Sequence, residues 1–159
     1  MPEHIQRMLA YDTWANQRMV ESIQTIKVPS GKITRLLAHI FSSKLMWLGR
    51  INASEYATIN TWPELRLQDS LVLGERMLTE WLSYINSLTQ DDLRSEVHYT
   101  IKDVGPGMQT VGDIVTHKFM HAMYHRGQMA TLVREEGGTP ASTDFVVWAK
   151  AIRELSSNQ

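Results

Sequence analysis

Cysteine is absent from this sequence of 159 residues. Its absence excludes a disulfide framework, a thiolate metal site and a cysteine nucleophile. Any thiol chemistry would therefore require a thiol supplied from outside the chain. No apolar run approaches the ~18 residues of a membrane span, and the first residues, MPEHIQRMLAYD, carry charges where a signal peptide has its apolar stretch. We expect a soluble protein with no membrane partner, most simply cytoplasmic.

An excess of one charge is also lacking. Lysine and arginine number 16 against 17 aspartates and glutamates, the net charge is −1, and neither sign forms a long block. This balance removes the usual electrostatic reason to expect a nucleic-acid partner. The hydrophobic content of 43% suits one sizeable core, and we find no internal repeat or interdomain linker. We therefore predict a single domain over residues 1–159.

Apolar residues recur at helical spacing in four long stretches, at residues 3–26, 33–51, 68–88 and from 111 onward. The second stretch follows a break, VPSG. The fourth should end at Gly137 and Gly138, because Pro140 stands just beyond. Thr110, followed three residues later by Asp113, resembles a capping box and predicts where the fourth helix begins.

A short extended region separates the third and fourth helices. Val97, Tyr99 and Ile101 alternate with polar residues, and DVGPG at 103–107 offers glycines and a proline for a tight reversal, which predicts a hairpin. STDFVVWAKAIREL indicates a last short helix, with Ser142 or Thr143 as its N-cap. Helices of about twenty residues span ~30 Å, the length of a bundle. The predicted fold is all-α: a four-helix bundle with a small β-hairpin before the last long helix and a short C-terminal helix.

The stretch HKFMHAMYHRGQ places His117, His121 and His125 at four-residue spacing, in a chain with six histidines. Residues four apart on a helix are offset by ~40° and ~6 Å, so His121 and His125 can point their imidazoles at one ion. Including His117 would separate the outer rings by ~12 Å, too far for all three to share an ion comfortably. On spacing alone, the pair could equally form a polar face or a pH-sensitive interface.

A third ligand should therefore come from another helix. His39 is the natural candidate, because it lies beside an apolar stripe of the second helix where a polar ring is unusual. His4, near the terminus, and His98, in the hairpin, are weaker candidates.

Three further residues are unusual for their helices. Asp12 and Asn16 lie in line with the apolar stripe of the first helix, and buried polar groups need partners. One hypothesis is that either accepts a hydrogen bond from a metal-bound histidine, and the alternative is an internal pair with Arg126 or another buried donor. Gly127 costs its helix ~1 kcal/mol relative to alanine. It indicates close helix packing, with a substrate reaching the backbone as the alternative.

The stretch HAMYHRGQ, with the following GGTPASTDFVVWA, resembles the final helix of the DinB-like family, whose signature is His, three residues, His-Arg-Gly-Gln. YDTWANQRM, LLAHIFSSKLMWLGRI and VHYTIKDVGPGMQTVGDIVTH match the family pattern in order, so the resemblance covers essentially the whole chain. It implies a four-helix bundle, often dimeric, that holds zinc or nickel through one histidine of the second helix and both histidines of the final motif. Carried over, the ligands are His39, His121 and His125.

His117 occupies a position where histidine is frequent in that family but is not a ligand. A proton-handling, ligand-supporting or core role follows for it. With Asp12 and Asn16, it is a candidate catalytic residue.

Three imidazoles leave an open coordination position, which is typical of catalytic sites. Characterised relatives in the family include thiol-dependent transferases and isomerases. The resemblance therefore implies metal activation of a low-molecular-weight thiol for transfer to a small electrophilic substrate. A metal-dependent hydrolase is the alternative, although Ala122 stands where an HExxH motif has glutamate. A third possibility is a stress-associated metal-binding protein without turnover, in which the ion ties helices together.

The 5 tryptophans are more large apolar side chains than one small core readily hides. The family resemblance also points to dimers. We therefore expect a twofold homodimer.

Overall fold

The computed structural model describes residues 2–101 and 103–157. The elements are α1 (Glu3–Gln24), α2 (Gly31–Asn52), α3 (Leu67–Ser87), β1 (Glu96–Ile101), β2 (Gly105–Thr110), α4 (Val111–Glu135) and α5 (Phe145–Ser157). Two short 3-10 helices, Glu55–Thr58 and Asp92–Arg94, lie in the connections on either side of α3. The predicted all-α bundle, with its hairpin before the last long helix and its short C-terminal helix, is confirmed.

The start of α4 is set by the predicted pair of residues. The backbone N–H of Asp113 donates to Thr110 Oγ1 (3.1 Å), and the Thr110 hydroxyl donates to the Asp113 carboxylate (2.7 Å). The reciprocal bond thus uses the hydroxyl of the cap rather than its backbone N–H. Beyond the end of α4, Gly137 takes a φ of 79°, the left-handed conformation that glycine adopts without steric cost.

The predicted N-cap of α5 needs correction. The N-cap position belongs to Asp144 rather than to Ser142 or Thr143, because the Asp144 carbonyl accepts hydrogen bonds from the backbone N–H groups of Val147 (3.1 Å) and Trp148 (3.3 Å).

The hairpin reversal is also shorter than DVGPG suggested, because β2 already begins at Gly105. Asp103 takes the positive φ, 66°, and Val104 N–H closes the turn on the Ile101 carbonyl at 3.1 Å. Gly107 lies in the strand, where a Cβ would meet the Tyr99 ring at 2.8 Å. The glycine therefore lets that ring lie flat on the hairpin.

The second helix is the centre of the bundle. It packs against α3 and α4, and α4 also packs against α1, whereas α1 and α3 touch only slightly. Trp81 of α3 is fully buried and donates its indole N–H to the Lys44 carbonyl of α2 (3.0 Å). Outside this interface, Trp148 of α5 packs against Tyr11 of α1, with ring centroids 5.9 Å apart.

Exposed apolar side chains lie mainly on α4 and α5 rather than at tryptophans. Trp81 and Trp148 are buried within the chain, and Trp62 is 41% exposed. On α4, Met120 and Tyr124 are 60% and 66% exposed.

The prediction of close helix packing at Gly127 is wrong for the single chain. A Cβ at this position would meet nothing within 4 Å. None of the helices in the described ranges is long and apolar enough to cross a bilayer.

Candidate metal centre

His39, His121 and His125 meet where α2 packs against α4. The Nε2 atom of His121 lies 3.2 Å from Nε2 of His39 and 3.1 Å from Nε2 of His125. Their possible ligand atoms all lie within 4.8 Å of one another. The structure thus brings together the three histidines that the resemblance implied.

The outward nitrogens of two of these rings already have acceptors. His39 Nδ1 lies 2.6 Å from the Thr61 carbonyl oxygen, and His125 Nδ1 lies 2.7 Å from the side-chain oxygen of Gln128. An oxygen acceptor requires each Nδ1 to carry the hydrogen. In their neutral forms, His39 and His125 therefore direct an Nε2 lone pair toward His121.

This convergence fits a metal ion better than it fits hydrogen bonds. A hydrogen on His121 Nε2 could satisfy one neighbouring lone pair but would leave the other unpaired. Zinc binds imidazole at 2.0–2.1 Å, which places tetrahedral ligand nitrogens about 3.4 Å apart. The observed Nε2–Nε2 separations of 3.1 and 3.2 Å are close to this nitrogen–nitrogen distance. The donor set therefore suits a divalent cation with three protein ligands.

The surroundings of His121 and His39 favour the neutral form that metals bind. Burial, together with the neighbouring His125 and His39, lowers the pKa of His121 to about 4. Burial also lowers the pKa of His39, against the hydrogen bond to Thr61, which raises it. Proton competition for these nitrogens is thereby reduced at neutral pH.

The connection between α2 and α3 covers one side of the site. The Trp62 indole stacks on the His39 imidazole, with centroids 3.5 Å apart and planes 6° from parallel. The Arg35 guanidinium lies 5.6 Å from the Trp62 ring centroid. The Ser42 hydroxyl lies 2.7 Å from the Ala38 carbonyl and 3.0 Å from the Thr61 carbonyl, so the connection packs on α2 beside His39.

A cleft of about 400 Å³ is lined by His117, one helical turn before His121, and by none of the three candidate ligands. The His117 ring centroid is 5.2 Å from that of His121 and 5.6 Å from that of Trp47. Tyr99 of the hairpin meets Trp47 edge to face at 5.1 Å. The Arg50 guanidinium lies over both aromatic rings, 4.6 and 4.7 Å from their centroids. The residues that line the cleft thus include two aromatic rings, the Asp113 carboxylate and a histidine next to the candidate ligands, and the Arg50 guanidinium lies over the two rings.

Asp12 and Asn16 are held by cations. Asp12 accepts from Lys44 Nζ (2.6 Å) and from Arg126 Nη1 (2.9 Å), and Arg126 Nη1 also donates to Asn16 (2.8 Å). Burial raises the pKa of Asp12, but Lys44, Lys118 and Arg126 outweigh it and bring the pKa to about 2. Among the described residues, neither Asp12 nor Asn16 bonds a histidine. Their arrangement is the internal pair that stood as the alternative.

Sequence reasoning did not identify Thr61, Trp62 or Gln128. Gln128 had a usable signal, because it lies three residues after His125 and so one turn along the same face. Thr61 and Trp62 carried no comparable signal, since no periodicity places an irregular connection against a helix.

Comparisons with known proteins agree with this architecture. A family model described as DinB family matches residues 1–155. Protein DinB of Bacillus subtilis (strain 168) is 23% identical over 165 aligned residues, which cover 87% of this chain and 90% of the relative. A crystal structure of a DinB-like protein from Bacillus cereus ATCC 10987 is similar with a TM-score of 0.65 at 16% identity, covering 88% of this chain and 95% of that one. A DinB-like protein from Bacillus subtilis gives 0.62 at 18% identity, with 89% and 96% covered. The chain belongs to the DinB family.

Proposed function

We propose that His39, His121 and His125 bind a divalent metal ion, zinc or nickel. The observation that carries this proposal is the convergence of three Nε2 atoms, with the His39 ring oriented by Thr61 and the His125 ring by Gln128. Imidazole ligands suit both metals. The described cluster contains three ligand groups, which is the number that catalytic zinc sites use.

On this basis we propose a metal-dependent enzyme that activates a low-molecular-weight thiol for transfer to a small electrophilic substrate. A bound divalent cation would supply Lewis acidity, which lowers the pKa of a thiol or polarises a carbonyl. The thiol must come from outside, because the chain has no cysteine. The cytoplasm, the compartment expected from the sequence, would supply such thiols.

The chain's own residues would bind and orient the substrate in the cleft beside His117. Trp47 and Tyr99 offer an apolar wall, and Asp113 lines the cleft beside them. The Arg50 guanidinium, which lies over the two rings, would attract an anionic group of the thiol or the substrate. His117 is exposed and next to His121, so it can accept a proton released there.

Metal-to-protein ratios of four single variants test the ligand assignment, with protein purified without a metal-binding tag. His39→Ala, His121→Ala and His125→Ala should each lose most of the bound metal, because two imidazoles remain. His117→Ala is the matched control and should retain it. Equal loss in His117→Ala and His121→Ala, with metal retained in His39→Ala, would place the site along α4 alone and refute the assignment.

A turnover assay separates the proposed activity from its alternatives. The metal-loaded protein should consume a low-molecular-weight thiol in the presence of a suitable electrophile, and metal removal should abolish this consumption. Metal-dependent hydrolysis of an ester or amide without thiol loss would instead support a hydrolase. Metal-dependent stability with neither activity would support a non-catalytic, stress-associated protein in which the ion ties α2 to α4.

We further propose a homodimer. Its support is the exposed apolar stripe on α4, where Met120 and Tyr124 lie on the same side as Gly127. Two copies packed through this stripe would bury it, and Gly127 would allow the helix backbones to approach closely.

A further inference from the structure

A second pocket, distinct from the cleft beside His117, lies between α1 and α3. It measures about 290 Å³, and none of the candidate metal ligands lines it. The two helices touch only slightly, and the pocket occupies the space between them. Its lining residues recur every three or four positions, from Leu9 to Gln24 on α1 and from Leu71 to Leu78 on α3. One face of each helix therefore forms a wall of the pocket.

The inner end of the pocket is apolar. Phe41 of α2 and Met77 of α3 line it, and each is 4% exposed. Gly74 of α3 also lines it, and a Cβ at that position would meet the Phe41 ring at 2.8 Å. The glycine lets the ring lie against the backbone of α3, although glycine inside a helix costs ~1 kcal/mol relative to alanine. An apolar body entering the pocket would thus meet an aromatic ring.

The charged groups of the inner wall are out of reach of a ligand. Lys118 lines the pocket, but its Nζ atom is buried and lies against Trp81 and Phe119, 4.5 and 4.1 Å from their ring centroids. Neither ring lines the pocket, so the lysine presents its methylene stem rather than its charge. The Asp12 carboxylate is buried and already accepts from two cations. The inner wall therefore offers no charge to pair with an ion.

Asn16 supplies an uncharged donor on the α1 wall. Its side-chain oxygen accepts from Arg126 Nη1 (2.8 Å). Its amide NH₂ group donates to no atom of the described residues, and it is not among the fully buried polar atoms without a partner, so it stays accessible. A ligand oxygen that only accepts would satisfy this donor, whereas an ammonium would bring donors against a donor. A carboxylate would lose its water without gaining a cation, and it would face the exposed Glu75 on the α3 wall.

We propose that this pocket binds a small uncharged carbonyl compound with an apolar body. The carbonyl oxygen accepts from the Asn16 amide, and the body packs between α1 and α3 against Phe41. At ~30 Å³ for each water displaced, the pocket has room for about ten heavy atoms. A mostly apolar lining with few polar groups is typical of small-molecule sites. The site is independent of the proposed metal-dependent activity, because it uses none of the histidines.

Calorimetric titration of the full chain with three compounds that share a phenyl body tests the ligand class. Benzylacetone is an uncharged ketone, hydrocinnamate is a carboxylate of the same shape, and phenylpropylamine carries an ammonium. The wild type should bind benzylacetone at least roughly tenfold more tightly than either charged compound, because neither charge gains a partner for the water it loses.

Two variants test the contacts and the location. Asn16→Asp keeps an oxygen for Arg126 and removes the NH₂ donor, so it should weaken benzylacetone binding by roughly threefold or more. Leu71→Trp, at a half-buried position of the α3 wall, should fill the pocket and prevent binding. Val72→Trp is its matched control, because Val72 is 58% exposed and lies outside the lining, and it should bind like the wild type.

Asn16→Asp also decides the matter if Leu71→Trp fails to fold. The proposal is overturned if the wild type shows no binding at about 10 mM benzylacetone. It is equally overturned if either charged compound binds as tightly as the ketone, or if folded Asn16→Asp or Leu71→Trp protein binds the ketone like the wild type.

Discussion

Gln128 accepts a hydrogen bond from His125 across one turn of α4, with its side-chain oxygen 2.7 Å from Nδ1. The contact leaves Nε2 of His125 unprotonated and aimed at His121. Thr61 does the same for His39 from the connection between α2 and α3. Two of the three ligand rings are therefore oriented by acceptors that do not themselves reach the site.

Removing the Gln128 acceptor should weaken metal binding. Gln128→Ala should reduce metal affinity by about 10–100-fold, the usual cost of losing such a partner. Gln128→Glu should retain affinity, because a carboxylate is a stronger acceptor for Nδ1–H. Competition with a chromophoric chelator measures both. Thr131→Ala, at another exposed position of α4, is the control, and equal affinities in Gln128→Ala and Thr131→Ala would contradict this role.

The ion pairs at Asp12 should dominate the polar contribution to stability. Asp12→Ala leaves Lys44 and Arg126 buried without their carboxylate, so the free energy of unfolding should fall by about 3–5 kcal/mol. Asp69→Ala removes an exposed, solvent-screened pair with Arg66 and should change the free energy of unfolding far less. Urea unfolding of the metal-free proteins measures both variants. Similar small losses would show that the buried cluster contributes little.

Lys118 should make the stability of the metal-free protein depend on pH above neutrality. Its pKa in the fold, about 7, lies below the ordinary value of 10.5, because burial opposes the charged form. Between these two values the unfolded chain binds more protons, so stability should rise with pH, by up to about 1.4 kcal/mol per unit. Urea unfolding at pH 7 and pH 9 measures the rise. It should be smaller in Lys118→Met, and an equal rise in both proteins would assign it to other groups.

Much of the fold was predictable because its signals are local. The helices follow apolar spacing that is repeated over about twenty residues, and Thr110 with Asp113 marks a helix start through a contact three residues long. Errors arose where the signal was a single residue. Glycines at 105 and 107 suggested a turn, but they lie in β2, and one of them accommodates the Tyr99 ring.

The candidate site was less predictable, because its geometry depends on tertiary contacts. The pair His121 and His125 follows from helix geometry, whereas the meeting with His39 requires the packing of α2 on α4. The family resemblance supplied that step. The orienting role of Thr61 belongs to an irregular connection, and nothing in its local sequence indicates which helix it covers.

The α4 stripe should carry the homodimer. Met120→Glu places a charge at a position that is 60% exposed within one chain, so it should leave the monomer folded but prevent apolar packing between copies. Light scattering should give twice the 18.2 kDa chain mass for the wild type and the chain mass for Met120→Glu. Val72→Glu, at a 58% exposed position of α3, is the control and should stay dimeric.

Gly127→Ala tests the same interface through a smaller change. Within one chain a Cβ at this position would meet nothing within 4 Å, so alanine should stabilise the monomer by about 1 kcal/mol through helix propensity alone. In a dimer packed on this stripe, the added methyl group would lie between the helices and should weaken association. Dilution followed by light scattering measures the change. If Gly127→Ala is more stable and equally dimeric, and Met120→Glu is also dimeric, the interface lies elsewhere. A wild-type mass near 18.2 kDa at all micromolar concentrations would exclude the dimer itself.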